Sequence, residues 1–119
     1  IFRFLRSLPV NTDVEVKGVK YKLVHGSPVE NFGRAHFYYE EYENEKEFAV
    51  WERWNEMHHV PEGFMLIFGH TPTCHFQTVE PWCIWKYDDA IGIDCGCGYK
   101  DGRLGCLRLD DMMEFYSED

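Results

Sequence analysis

The sequence predicts an α/β chain, of the α+β kind at this length, made mostly of strands and hairpins with one or two helices. Three observations carry that prediction. "DVEVKGVKYKLVHG" alternates apolar and polar residues on both sides of a glycine, the pattern of a β-hairpin. "FMLIF", residues 64–68, is a short continuous apolar run, as expected of a strand buried on both faces. "ENEKEFAVWERWNEMHH", residues 43–59, is rich in helix formers, repeats Phe48, Trp51 and Asn55 at helical spacing, and is followed by Pro61.

The elements follow in order. "FRFLRSL", residues 2–8, is expected to form a short amphipathic helix that Pro9 stops. Val14 and Val16 then share one side of a first strand, Gly18 turns the chain, and Val19, Tyr21 and Leu23 continue on a second strand ending at His25-Gly26. From Ser27 to Glu43 the text is irregular, aromatic and acidic, and reads as a long surface loop with at most a short helical turn. The 43–59 helix should turn Phe48 and Trp51 inward. After "FMLIF", "WCIWKY" reads as a further strand and "AIGIDCGCGY" as a strand running into a glycine-rich turn. "DGRLGCLRL" completes a hairpin about Asp101-Gly102, and the acidic tail from Asp110 should fray.

The chain has 119 residues, 45% of them hydrophobic and 17% aromatic, enough for one domain (1–119) with a single core. Twelve basic against 21 acidic residues give a net charge of −9, which argues against nucleic acid or an anionic membrane as the main partner. The five cysteines, Cys74, Cys83, Cys95, Cys97 and Cys106, lack the spacing of a disulfide framework, and the Cys95-x-Cys97 pair is one residue short of the usual zinc spacing. Free thiols in the cytoplasm are expected. No apolar run is long enough to span a bilayer and no signal peptide is visible. A start at Ile1 without methionine is expected of a processed or trimmed chain.

Six histidines are candidates for chemistry. His58 and His59, adjacent at the end of the expected helix, should point apart into solvent. His36 and His75 lie in expected loops with no motif around them. His25 and His70 differ: each follows an apolar run, "YKLV" and "MLIFG", and each precedes turn formers, "GSP" and "TPT". Two strands ending this way can bring two imidazoles to one edge of a sheet, where α/β folds collect ligands, and neutral imidazole is the commonest metal ligand. The alternative is two unrelated strand ends. Arg53, in "VWERWNE", is either a solvated helix arginine beside Glu52 or Glu56, or a guanidinium fork for a phosphate. The stretch "EEYENEKE", residues 40–47, is read as a solvated acidic loop.

Taken together, "LVHGSP", "VWERWNE", "FGHTPT" and "IGIDCGCGYKDGRLGCLRL", with "FLRSLP" before them, resemble the calcineurin-like metallophosphoesterases. The likeness is closest to bacterial serine/threonine protein phosphatases of the phosphoprotein-phosphatase type. The order and spacing agree along nearly the whole chain. The resemblance implies the C-terminal half of a four-layer α-β-β-α sandwich. It implies that His25 and His70 ligate the second of two divalent metals (manganese, iron or zinc), that Arg53 binds the substrate phosphate, and that Gly69 lets the strand turn so that His70 faces the metal. The substrate would be a phosphoprotein, or a dinucleoside polyphosphate or other small phosphoester.

The family's aspartate-x-histidine, glycine-aspartate-x-x-aspartate-arginine-glycine and asparagine-histidine-glutamate motifs are absent from this sequence. They would supply the aspartate and asparagine ligands, the general-acid histidine and the second phosphate arginine. No residue of these 119 is therefore assigned a catalytic role, and the segment alone is expected to hold metal weakly and to be inactive. The alternative is a phosphatase-like module without catalysis. Half of a sandwich should also leave an apolar face open and favour self-association.

Overall fold

A computed structural model describes residues 1–34 and 42–118. The chain is mixed α+β and mostly strands. Among the described residues two helices, α1 (Phe2–Ser7) and α2 (Glu45–Trp51), accompany seven strands: β1 (Asn11–Val16), β2 (Val19–Val24), β3 (Phe64–Phe68), β4 (Trp85–Tyr87), β5 (Ala90–Gly92), β6 (Gly105–Arg108) and β7 (Met113–Tyr116). Five strands form one sheet in the order β1-β2-β3-β5-β4, and β6 and β7 form a second, two-stranded sheet. Within the larger sheet β2, β3 and β5 run parallel, while β1 and β4 run antiparallel at the two edges.

The first hairpin forms as the sequence predicts. Val16 pairs with Val19 across Lys17 and Gly18, whose φ angles are +51° and +80°. Two consecutive positive φ values define the tight turn that matches the twist of the strands, and glycine takes the second at no steric cost. Val14 faces Tyr21 and Thr12 faces Leu23, so one side of the hairpin is apolar.

β3 is buried on both faces, as its unbroken apolar text implies. Leu66 and Phe68 pack with Trp54, Val60, Trp85 and Ala90 on one face. Ile67 packs with Tyr21, Ile84, Ile91 and Cys95 on the other. The first face is an aromatic stack in which Trp54 lies on Phe68 with ring centroids 4.9 Å apart, and Phe76 on Trp85 at 4.5 Å. The second face is closed by Leu107 of β6, Tyr116 of β7, and Leu109 and Met112 of the turn between them. The sheet is thus a central layer between the segment after α2 and the terminal hairpin.

Several expectations give way to tertiary contacts. α2 ends at Trp51, not His59, and Glu52 is already extended (φ −65°, ψ 140°). A helix end leaves carbonyls without intrahelical partners, and here the fold supplies them. Ala49 O accepts from the backbone N–H of both Gly26 and Ser27 at 3.0 and 3.1 Å, and Trp51 O lies 3.1 Å from His70 Nε2. Phe48 is buried as expected, whereas Trp51 is 61% exposed. Asn44 caps the helix start through Lys46 and Glu47 N–H, with Glu45 and Glu47 in its first turn, so residues 45–47 of the expected acidic loop are a helix N-terminus with the charge that the macrodipole favours. His36 and residues 40–41 of that loop lie outside the described residues.

"WCIWKY" is a strand only from Trp85. The hairpin expected at Asp101-Gly102 is instead a loop with an isolated bridge between Gly96 and Arg103. β6 pairs with β7, which Met113–Tyr116 form. The tail from Asp110 is therefore not frayed: Tyr116 packs on the core and its hydroxyl accepts from Ile84 N–H at 3.0 Å. Of the expected loop between Ser27 and Glu43, Val29–Asn31 form one 3-10 turn. All five cysteines are free thiols, and Cys95, beside the β6 segment, is buried. Among the described residues no helix is long and apolar enough to cross a membrane. α1 forms as expected but buries none of its residues.

Candidate functional site

β2 and β3 are parallel neighbours in register, Leu23 beside Ile67, so their C-terminal ends open on the same edge of the sheet. His25 follows β2 by one residue and His70 follows β3 by two. Gly69 N–H donates to His25 O at 3.0 Å, which ties the two exits together. His25 Nε2 and His70 Nδ1 stand 3.2 Å apart, with ring centroids at 4.8 Å.

The turn at this edge is not made by the glycine. His70 itself has φ +66°, and a Cβ on Gly69 would meet only His25 O, at an ordinary 3.7 Å. A non-glycine residue in the left-handed region carries backbone strain that its surroundings must hold in place. They do so through both ends of His70. Its Nε2 faces Trp51 O at 3.1 Å and its own carbonyl accepts from Arg53 Nη1 at 3.3 Å.

The partners fix the protonation pattern. A carbonyl accepts only, so His70 Nε2 carries the proton and donates to Trp51 O. His70 Nδ1 is then the lone-pair nitrogen, and it accepts from His25 Nε2–H. Burial above all lowers the basicity of His70, with the charges of His25 and Arg53 acting in the same direction; the bond to Trp51 and the carboxylate of Asp94 oppose this. A neutral imidazole whose far nitrogen is held by a backbone carbonyl is in the form that binds a metal.

Glycine is required one turn away. A Cβ on Gly26 would fall 2.4 Å from Glu52 O and 2.8 Å from Ala49 O. The bare backbone lets the end of α2 approach the end of β2, and so brings residues 51–53 to the histidines. From Trp51 to Trp54 exposure alternates: Trp51 and Arg53 face outward, Glu52 and Trp54 inward, the period-two pattern of extended backbone. Arg53 is therefore not a helix residue. Its guanidinium reaches His70 O and Thr71 Oγ1, at 3.4 Å for the latter, and among the described residues no carboxylate pairs with it. The three sequence-predicted residues thus meet at one sheet edge.

This chain matches no family model, no curated protein and no solved structure among those compared with it.

With the His25 proton moved from Nε2 to Nδ1, the two facing nitrogens suit one divalent ion. Metal–nitrogen bonds of about 2.1 Å each span a 3.2 Å gap at an ordinary angle between neighbouring ligands. Among the described residues no group of three or more His, Cys, Asp or Glu is placed to hold a metal. Asp94, which follows β5, turns its carboxylate to Gly96 N–H at 3.0 Å and so caps its own loop. Sequence reasoning missed two residues. Trp51 was expected inside but borders the site, and Thr71 holds the arginine; the first was legible only once the end of α2 was known.

His58 and His59 part company. His59 is exposed as expected, but His58 is 5% exposed, against the expectation of a solvated ring. Its Nδ1 accepts from Asn55 N–H at 3.3 Å and its ring meets Phe48 edge-on. Burial lowers its pKa to about 4. The exposed His75 stands in a 3-10 turn after His70.

Proposed function

We propose that the chain is the C-terminal half of a metal-dependent phosphomonoesterase of the calcineurin-like kind, nearest to bacterial serine/threonine protein phosphatases. In this reading His25 and His70 contribute two nitrogens to one of two divalent metals, and Arg53 binds the phosphate. The observation that carries it is the 3.2 Å approach of His25 Nε2 and His70 Nδ1 beside an arginine whose guanidinium has no carboxylate partner among the described residues.

Bound divalent metal supplies Lewis-acid activation of water and of phosphoryl oxygens. The chain's own residues do the rest of what is assigned here. Trp51 O holds the His70 proton on Nε2 and so leaves Nδ1 free to ligate. Arg53 is anchored by one nitrogen on His70 O and Thr71 Oγ1, which leaves the outer edge of its fork for two phosphate oxygens. The aspartate and asparagine ligands and the general acid lie outside these residues, so the segment by itself is expected to hydrolyse no phosphopeptide. Self-association is part of the same reading, supported by the exposure of Phe2, Phe4 and Leu5 on α1.

A second reading rests on the same contact. The direct His25–His70 hydrogen bond pairs the two facing nitrogens without metal, as a non-catalytic packing pair would. Titration with Mn²⁺ followed by NMR separates the two. The phosphatase reading expects paramagnetic broadening of the His25 and His70 ring signals at millimolar metal or below, abolished in His70→Ala and weak at His59 and His75. Equal or absent broadening across the histidines supports the packing pair instead.

A further inference from the structure

Of the four tryptophans, Trp54 and Trp85 are buried at 3% and 8% exposure, while Trp51 is left 61% exposed. Its position is nonetheless fixed. The indole stands edge-on to the His70 ring, with centroids 6.2 Å apart at 84°, and its own carbonyl faces His70 Nε2. Arg53, two residues on, contacts the carbonyl of the same histidine. The buried Glu52 between them turns both side chains outward. An apolar plane and a guanidinium therefore flank one strained residue on one side of the chain.

We propose that Trp51 is a specificity residue, whose indole stacks on a planar aromatic group attached next to the phosphate that Arg53 binds, so that the site favours aryl phosphoesters over alkyl ones. The inference rests on the phosphate role of Arg53 and adds the class of ester to it. Two other rings near the surface are stacked within the chain: Trp82 on Tyr99, and Tyr87 on Trp85 with nearly parallel planes. For Trp51 no aromatic partner other than the His70 ring is present among the described residues. An indole face is the strongest platform that side chains provide for a flat ligand, and such stacking alters affinity by about 3- to 10-fold.

The test compares phenyl phosphate with methyl phosphate, titrated against the metal-free chain. NMR follows the Trp51 indole N–H and the Arg53 Nε–H signals. Phenyl phosphate is expected to move both signals at about 3- to 10-fold lower concentration than methyl phosphate needs to move Arg53. Trp51→Leu, which keeps the backbone carbonyl that holds His70, is expected to erase that preference, so that the two esters move the Arg53 signal at equal concentrations. Arg53→Gln is expected to weaken both esters. Equal titration by the two esters, or a preference that survives in Trp51→Leu, overturns the inference and leaves the role of Arg53 intact. Failure of either ester to move Arg53 overturns the phosphate role, and the inference falls with it.

Discussion

His58 and His70 both have imidazoles less basic than a solvated histidine, yet their surroundings differ in kind. His58 lies under Phe48 in the turn after α2, and burial alone lowers it. His70 stands at an open sheet edge, where burial acts together with the charges of His25 and Arg53. The first ring is enclosed by the fold. The second is oriented by a carbonyl and presents its other nitrogen to another histidine. A depressed histidine pKa therefore does not by itself mark a functional site. The direction that the lone pair faces, and what meets it there, makes the distinction.

Acid gives the largest expected effect on the His58 side. The ring is neutral when buried and takes a proton near 6.5 when the chain unfolds. Its contribution is thus fully present above pH 6.5 and is lost as the pH falls through about 4. The gap between those two values corresponds to about 3 kcal/mol. Urea denaturation at pH 7.5 and pH 4 should show that loss relative to a His58→Leu variant, in which this part of the slope disappears. A variant that keeps the full slope breaks the assignment of His58 as a buried structural ring.

Gly26→Ala should come next and should strike the other region. The new methyl would fall on Glu52 O and Ala49 O, so the end of α2 must move off β2. Overpacking of this kind costs about 2–3 kcal/mol. Denaturation measures the cost, and NMR of the His25 and His70 rings should show that the pair separates. Unchanged ring signals would mean that the histidine edge does not depend on α2.

The smallest effect is expected from Thr71→Val. It removes one acceptor from Arg53 and leaves His70 O in place, at a cost of about 0.5–1 kcal/mol in denaturation. The Arg53 Nε–H signal should shift and the His58 signals should not. Movement at His58 would show that the two regions are one cooperative unit.

The elements most legible in the sequence were those with local codes. The Lys17-Gly18 turn and the unbroken apolar text of β3 depend on neighbours in the chain, and the positions of His25 and His70 just past two strands follow from them. The end of α2 was illegible because no glycine or proline writes it; Ala49 O and Trp51 O leave the helix for partners near residues 26 and 70. β7 was hidden by its acidic setting: Glu114 carries a charge, but it pairs with Lys86 at 2.6 Å and accepts from the Tyr116 hydroxyl.

By itself the sequence determined a mixed α+β chain with two histidines at strand ends and an arginine between them in the text. Alternation, turn chemistry and apolar runs are local, and they set which residues become strands. Tertiary structure decided that the strands bearing those histidines are parallel neighbours, that His70 rather than Gly69 takes the left-handed turn, and that Trp51 faces out while His58 faces in. Those outcomes depend on which carbonyl meets which donor across about 20 to 45 residues of chain, and hydrogen bonds between distant segments leave no period in a sequence to be read.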